Sequence, residues 1–277
     1  MENSFKRYSH TINCPSIITI NKDDKYKSNV LCSENGIISI TKHFFADECD
    51  LIRLKNKIIS CHYSNGKIYL GNELNQLLVL DLDKKIIIKT LNDFKNPINF
   101  ISSCLDLLGC TCLSNEIYFI NLNDYSIRTI HNIEQVSIYH ICFAPNNDYF
   151  ITADQKTINI WNFKNFIQIK KIKNEINSSI IIDKKIENIA WHNNGFVFAV
   201  SNLNGIDFYE RQSWQFKFKI KTTCFFNFIS FSPRGHHLLA ACDSFISIYK
   251  LSTLRQELKL SNLNNMINSI IWYENKL

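Results

Sequence analysis

The side chains that could bind a metal or act in catalysis are scattered through this sequence. Cys110 and Cys112 are separated by one residue, and His236 and His237 follow a glycine. A zinc site needs further ligands at suitable spacing, and none accompanies the two cysteines. We therefore interpret the thiols as packing groups on one face of a buried strand, and the histidines as the entry to another strand. The sequence predicts no metal site.

The glycines and serines form no nucleotide-binding or nucleophile motif. The seven glycines, at positions 36, 66, 71, 109, 195, 205 and 235, never give the spacing G-x-G-x-x-G. Lys67 follows Gly66, but Cys61 stands where a phosphate-binding loop would begin with glycine. The sequence also lacks a G-x-S-x-G turn. We predict that the protein is not an enzyme and uses no cofactor.

The composition is typical of a large folded domain without a membrane segment. Of the 277 residues, 45% are hydrophobic and 13% are aromatic, which is enough for a sizeable core. The net charge of +6 is too small to indicate nucleic-acid binding by itself. No signal sequence is evident, and no apolar run reaches the roughly 20 residues of a membrane span. Ten cysteines without a secretory signal indicate reduced, mostly buried thiols, which favours the cytosol or the nucleus.

A repeat of about forty residues organises the chain. Short β-rich segments end in an apolar or aromatic anchor residue at regular intervals, at Ile40, Leu80, Ile120, Trp161, Tyr209 and Tyr249. Each unit holds about four strand-like segments, which is the pattern of a β-propeller blade. Segments such as "FSPRGHHLLAACDSFISIYK" resemble WD repeats. The sequence therefore predicts an all-β WD-repeat β-propeller with six complete four-stranded blades and an incomplete seventh.

The two ends of the sequence are assigned to the seventh blade. We treat residues 1–277 as a single β-propeller domain, with an N-terminal strand at 5–11 and a C-terminal strand at 266–273 in that blade. The other two strands of the blade are missing from the sequence, so we expect either a truncated chain or an abnormally built blade. The one long step between anchors, from Trp161 to Tyr209, is assigned to a longer connection at 174–188.

The predicted outer strands are rich in lysine. In "FIQIKKIK" and "WQFKFKIK", apolar residues alternate with polar ones, so Phe216, Phe218 and Ile220 are expected to face inward. Lysines on an outer strand prevent edge-to-edge pairing, and we favour this structural role over a nucleic-acid-binding surface. We expect weak, nonspecific DNA binding at most. The lysines concerned are Lys164, Lys170, Lys171, Lys173, Lys217, Lys219 and Lys221.

The fifth repeat carries the most specific motif, in which Tyr209, Arg211, Ser213 and Trp214 frame a short hairpin. The segment "IENIAWHNNGFVFAVSNLNGIDFYERQSWQFKFKIK" resembles the N-terminal WD-repeat propeller of the eukaryotic replisome adaptor family, known as acidic nucleoplasmic DNA-binding protein or chromosome transmission fidelity factor. The likeness spans most of the chain and is strongest over 186–273. We expect Tyr209 to end the third strand, Trp214 to begin the fourth, and the hairpin to be structural.

The resemblance implies a non-enzymatic nuclear scaffold that couples the replicative helicase to the priming polymerase and to other chromatin factors. Trimerisation and a DNA-binding box belong to later domains of that family, so no trimerisation is expected from this chain alone. The residues that bind partners do not follow from the sequence. The alternatives are a WD-repeat adaptor in RNA processing or ubiquitin transfer, and a direct nucleic-acid-binding module.

Overall fold

The computed structural model describes residues 17–23, 28–41, 50–131, 136–173, 185–222, 224–242 and 245–261, and these contain β-strands and turns but no helix. The strands of the first three blades are β1 (Ile17–Asp23), β2 (Ser28–Ser33), β3 (Ile37–Thr41), β4 (Asp50–Arg53), β5 (Ile58–Ser64), β6 (Lys67–Asn72), β7 (Leu77–Asp81), β8 (Ile86–Leu91), β9 (Phe100–Cys104), β10 (Leu107–Thr111), β11 (Glu116–Asn121) and β12 (Ile127–His131). Those of the next three blades are β13 (His140–Phe143), β14 (Tyr149–Ala153), β15 (Thr157–Asn162), β16 (Gln168–Lys173), β17 (Ile186–Trp191), β18 (Val197–Asn202), β19 (Gly205–Glu210), β20 (Phe216–Lys221), β21 (Phe228–Phe231), β22 (His237–Ala241), β23 (Ile246–Lys250) and β24 (Arg255–Leu260).

These strands form six separate four-stranded antiparallel sheets, and each sheet follows chain order. The first strands of successive sheets lie beside each other in the order β1, β5, β9, β13, β17 and β21. These first strands therefore line the inside of the propeller, and the fourth strands form its rim. This arrangement confirms the prediction of six complete blades of a WD-repeat β-propeller. The strands predicted for the seventh blade, at 5–11 and 266–273, lie outside the described residues.

The six anchor residues occupy one equivalent position, the penultimate residue of the third strand. Each pairs with an apolar residue of the second strand, as Trp161 does with Phe150 and Tyr209 with Phe198. The rings of both pairs stack, with centroids 5.7 Å and 5.2 Å apart. Equivalent residues recur at a fixed spacing because each blade repeats the same strand lengths.

The core lies between the blades. The buried anchors face the preceding blade, so that Tyr209, for example, packs with Ile151 and Ile160 of blade four. The second and third strands are buried on both faces because a neighbouring blade covers each face, which accounts for their continuous apolar runs. Full burial of each large apolar side chain contributes roughly 1.5–3 kcal/mol.

Polar residues at the end of the second strand organise the turn to the third strand. The Asp154 carboxylate accepts hydrogen bonds from the backbone N–H groups of Lys156 (2.7 Å) and Thr157 (2.8 Å). Asn72 and Asn202 occupy the same position in blades two and five, where their side-chain oxygens also accept backbone N–H groups. Side chains of this type stabilise turns by replacing a backbone partner.

The hairpin between the third and fourth strands has a left-handed residue at one repeated position. This residue lies five places after the anchor. In blades three, four and five its backbone N–H donates to the carbonyl four residues earlier, as Trp214 does to Glu210 at 2.8 Å. Non-glycine residues adopt such backbone angles at a cost in free energy, so the repetition indicates a fixed turn geometry. The residues are Lys85, Tyr125, Phe166, Trp214 and Leu254, with φ between 55° and 62°.

Three expectations about blade five need correction. Trp214 does not begin the fourth strand but lies in the turn before it. Phe216 does not face inward, since 56% of its surface is exposed. The cause is a β-bulge, because Tyr209 pairs with Phe216 while Phe208 pairs with Phe218, and the extra residue breaks the alternation. Finally, the connection predicted at 174–188 ends earlier, because β17 already begins at residue 186.

Candidate protein-interaction surfaces

The blade-five hairpin, residues 210–215, packs against blade four. The Trp214 ring meets the Tyr149 ring edge to face, with centroids 5.1 Å apart. It also lies 6.4 Å from the rings of Trp191 and Phe198 in its own blade. The left-handed turn thus directs a large ring into the groove between two blades, where Trp214 is half-buried.

Arg211 connects the same two blades through its charged group. Its Nη2 atom lies 2.5 Å from Oδ2 of Asp148, and its guanidinium carbon lies 5.0 Å from the centre of the Tyr149 ring. Asp148 and Tyr149 belong to the turn and strand of blade four that face the hairpin. Ser213 has a local role, since its Oγ donates to the Glu210 carboxylate at 3.0 Å. Ion pairing and stacking act together on one side chain here.

Tyr209 lies in the core and is 6% exposed. Burial, and secondarily the charge of Asp207, raises the pKa of its phenol well above the ordinary value. Its ring is shared between Phe198, which it stacks on, and Phe216, which it meets edge to face at 6.2 Å. The four residues of the sequence motif are therefore brought together in one region between blades four and five.

A different region presents apolar side chains to solvent. We call the end of the propeller that carries the turns between second and third strands, and the connections between blades, the upper face. Leu74 and Leu113 lie in such turns of blades two and three, and Val136 lies in the connection from blade three to blade four. All three are between 41% and 55% exposed. Exposed apolar side chains that are grouped on one face mark candidate interaction sites.

Hydrogen bonds join the loops that carry these three residues. The Asn75 side chain donates to the Lys95 carbonyl at 3.1 Å, and the Lys95 ammonium donates to the Glu116 carboxylate at 2.5 Å. On the other side of the Leu113 turn, the N–H of Ile138 donates to the carbonyl of Ser114 at 2.8 Å. The upper-face patch, defined as Leu74, Leu113 and Val136, is thus held on connected loops.

Glu116 is a buried acidic residue in the chain of hydrogen bonds that joins these loops, and its side chain is 3% exposed. Burial acts to raise its pKa, but hydrogen bonds from Lys95 and Tyr118 and the positive charge of Lys95 outweigh burial, so the pKa lies below its ordinary value. The carboxylate is consequently ionised at neutral pH. Leu113 itself has a φ of 44°, and its N–H donates to the Asn99 side chain at 3.1 Å. This hydrogen bond stabilises the left-handed backbone of the turn that carries Leu113.

Two of the rim lysines, both in blade five, are paired with acidic groups. Lys217 lies 2.5 Å from Oε1 of Glu210, and Lys219 lies 3.0 Å from Oδ1 of Asp207. The side chain of Lys219 is also half-buried. These contacts reduce the positive charge on blade five that is available to attract an anionic polymer such as DNA.

The cysteine pair singled out in the sequence lies in the core between blades two and three. Cys110 and Cys112 are both fully buried. Burial raises the pKa of the Cys112 thiol to about 12 and that of Cys110 well above its ordinary value. Within the described ranges, no group of three or more His, Cys, Asp and Glu side chains is arranged to hold a metal ion.

Sequence reasoning did not identify the upper-face patch. The available signal was a leucine within a polar turn, as in "NELNQ" around Leu74 and "CLSN" around Leu113. A leucine of this kind belongs to no strand pattern, so it has no place in the predicted core. The sequence around Val136 gave no comparable signal, because the exposure of this side chain depends on the path of the connection to blade four.

Comparisons with known proteins agree with the repeat. The family model described as WD domain, G-beta repeat matches residues 126–162. The match runs from the outer strand β12 of blade three through the third strand β15 of blade four. A mouse (Mus musculus) protein, WD repeat and HMG-box DNA-binding protein 1, is 20% identical over 261 residues, which are 89% of this chain. The comparisons support a WD-repeat protein. The aligned region spans 23% of the length of that relative.

The described residues also contain no helix that could cross a membrane.

Proposed function

We propose that this chain is the propeller of a nuclear scaffold that binds replication and chromatin proteins. The observation that carries the proposal is the set of six WD-repeat blades in the described residues together with the likeness, over 89% of the chain, to a WD-repeat protein whose name includes a DNA-binding HMG box. WD-repeat propellers generally act as non-enzymatic platforms for other proteins. Repeated rigid sheets hold many turns in fixed positions, which suits this task.

The upper-face patch is the proposed partner-binding surface. Leu74, Leu113 and Val136 supply apolar contact area, and the chain of hydrogen bonds through Lys95 and Glu116 keeps their loops in place before a partner binds. Preorganised loops lose less conformational entropy on binding, so more of the contact energy appears as affinity. The blade-five hairpin is assigned a structural role, because Arg211 and Trp214 are engaged with blade four.

Affinity purification from nuclear extracts of replicating cells tests this proposal. The protein with Leu74→Asp, Leu113→Asp and Val136→Asp is compared with the wild type and with a control carrying Leu258→Asp and Leu260→Asp, which lie on the rim and are similarly exposed. We expect the wild type and the control to recover replication or chromatin proteins, and the patch variant to lose them. Circular dichroism melting curves verify that all three proteins are folded.

Recovery of splicing factors or ubiquitin-ligase components without replication proteins would contradict the nuclear replication role and favour an adaptor in another pathway. Equal recovery by the patch variant would move the binding surface elsewhere on the propeller.

A further inference from the structure

The outer strand of blade two differs from the other described rim strands. In β8, Ile86, Ile87 and Ile88 are consecutive, and each is between 36% and 54% exposed. Successive side chains of a strand point to opposite faces, so apolar surface lies on both sides of this edge. β8 pairs with β7 on one side and is the last strand of its sheet. Its other side offers backbone N–H and C=O groups to an additional strand.

At the equivalent position, blades five and six have a charged residue that blade two lacks. The residue that pairs with the anchor is Ile87 in blade two, Phe216 in blade five and Gln256 in blade six. A β-bulge follows in each of these blades, and its extra residue is Lys217 or Glu257 in blades five and six. Both of these charged residues form ion pairs, with Glu210 and Lys250 respectively.

In blade two the bulge residue is Ile88, and in blade four it is Ile169, so both lack the charged bulge residue of blades five and six. In β16, however, Lys170 and Lys171 follow Ile169, whereas in β8 Ile88 completes a run of three isoleucines. Charged residues at an edge oppose the addition of a strand, because pairing would desolvate them. Three adjacent isoleucines at this position carry no such penalty. The edge is consequently suited to pairing.

Lysines surround the three isoleucines. Lys84 and Lys85 precede them and Lys89 follows. Lys85 forms an ion pair with Asp50 of blade one at 2.8 Å, whereas the ammonium groups of Lys84 and Lys89 form no ion pair within the described part of the chain. Lys84 contacts an acidic group through its backbone N–H, which donates to the Asp81 carboxylate at 3.0 Å. A strand added here would therefore be stabilised by acidic residues at both ends of an apolar centre.

The same charges disfavour a second copy of this chain as the added strand. If two β8 strands paired antiparallel with their isoleucines opposite each other, Lys85 of each would face Lys89 of the other. Like charges directly opposite one another destabilise a strand pair. The edge thus selects for a different polypeptide.

We propose that the β8 edge binds an extended segment of a partner protein, with an apolar centre flanked by acidic residues, as a fifth strand of blade two. This is β-augmentation, in which backbone hydrogen bonds provide affinity and side chains provide specificity. The proposal deepens the scaffold function and rests on it, because it adds a second binding surface on the rim, apart from the upper-face patch.

Fluorescence anisotropy with a synthetic probe tests the inference. The probe is a fluorescein-labelled peptide whose valine- and threonine-rich centre is flanked by glutamates, and the matched peptide carries lysines in place of the glutamates. We expect the glutamate peptide to bind the wild type and the lysine peptide to bind at least about tenfold more weakly, a factor that corresponds to 1.4 kcal/mol. Ile87→Lys should weaken binding of the glutamate peptide by a similar factor.

Two further variants sharpen the test. Lys84→Glu combined with Lys89→Glu should reverse the preference, so that the lysine peptide binds better than the glutamate peptide. Gln256→Lys, at the equivalent position of β24, is the control and should leave binding unchanged. Melting curves establish that the variants are folded, since the substituted side chains are exposed.

The proposal is overturned if neither peptide binds, if Ile87→Lys leaves binding unchanged, or if both peptides bind equally. Self-association in sedimentation experiments that is lost in Ile87→Lys would assign the edge to a second copy instead. If the peptide test fails, the nuclear scaffold proposal is unaffected, because it is tested separately by purification with the upper-face variants.

Discussion

At the scale of single residues, Arg211 joins blade five to blade four through its guanidinium group. Its guanidinium pairs with Asp148 and stacks over Tyr149, and both partners belong to the preceding blade. Arginine suits this position because its planar group can form hydrogen bonds at its edge while its face packs on a ring. The sequence singled out Arg211 through a family motif, but its partners lie about sixty residues earlier in the chain and follow from blade packing alone.

We therefore predict that Arg211→Ala lowers the free energy of unfolding by about 1–2 kcal/mol, since it removes both a partly exposed ion pair and a cation–π contact. Arg211→Lys should lose about half of this amount, because the charge remains and the stacking does not. Urea denaturation followed by tryptophan fluorescence measures the effect. Arg255→Ala on the exposed rim is the control and should change stability by less than about 0.5 kcal/mol. A similar loss at both positions would contradict a blade-to-blade role.

Two histidines of the innermost strands are expected to make stability depend on pH. Burial lowers the pKa of His62 to about 4, and burial together with the charge of Lys185 lowers the pKa of His140 to about 4. His62 also contacts the Ser103 hydroxyl at 2.8 Å. In the unfolded chain both would have an ordinary pKa of about 6.5. Between these values the unfolded state binds protons that the folded state does not.

The folded protein should consequently be fully stable above about pH 6.5 and lose stability as the pH falls toward 4, with each histidine costing about 2 kcal/mol at pH 5. The double variant His62→Gln and His140→Gln should show a smaller decrease in melting temperature between pH 7.5 and 5. His236→Gln, an exposed histidine, serves as the control and should follow the wild type. If the double variant loses as much stability as the wild type over this interval, the two histidines are not responsible.

At the scale of the elements, the hairpins between third and fourth strands share a backbone but differ in what they contact. Trp214 and Lys85 occupy the same left-handed position, with φ of 56° and 55°. Trp214 packs into the groove toward blade four, whereas Lys85 is exposed and pairs with Asp50 on the surface. The same substitution should therefore have different consequences at the two positions.

Trp214→Gly should destabilise the protein by about 2–3 kcal/mol, because the loss of a half-buried ring exceeds the relief of backbone strain. Lys85→Gly should change the free energy of unfolding by less than about 1 kcal/mol, since relief of strain offsets the loss of a surface ion pair. Chemical denaturation of the two variants side by side is the measurement. Equal effects would mean that the turn backbone, and not the packing of its side chain, determines stability.

The elements also show what the sequence could predict. The six anchors identified the third strands correctly, because burial on both faces forces a continuous apolar run at each repeat. The position of Phe216 was not predictable in this way. Simple alternation assigns it to the inside, but a bulge depends on how two strands pair and leaves no mark in the strand's own pattern.

The upper-face patch was missed for a related reason. Whether Leu74 and Leu113 are exposed depends on turn geometry and on neighbouring loops, not on the hydrophobic pattern of a strand. The sequence therefore specified the blades better than the surfaces that they present.

At the scale of the whole molecule, the distribution of charge argues against strong DNA binding. The net charge is +6, and Lys217 and Lys219 on the rim are paired with acidic side chains. Phosphate contacts also weaken steeply as salt increases, by about 0.9 log unit per log unit of salt for each contact with duplex DNA. The relative's name refers to a DNA-binding HMG box, but the aligned region covers 23% of that protein.

We predict only weak, sequence-independent binding to fluorescent duplex and single-stranded DNA at about 150 mM salt, where charges are screened within roughly 8 Å. Titrations at low and physiological salt measure this, and most of the low-salt binding should disappear. Submicromolar binding at the higher salt concentration would make the propeller itself a DNA-binding module.

The central claim is that the propeller acts as a protein scaffold in nuclear DNA replication, and proximity labelling in synchronised cells tests it most directly. The chain is expressed as a fusion with a biotin ligase, and labelled proteins are compared between replicating and non-replicating cells. We predict enrichment of replicative helicase, priming polymerase or chromatin components during replication, and its loss when the upper-face patch is changed to aspartate. Labelling of cytoplasmic, splicing or ubiquitin-transfer proteins alone, with no change during replication, would contradict the account.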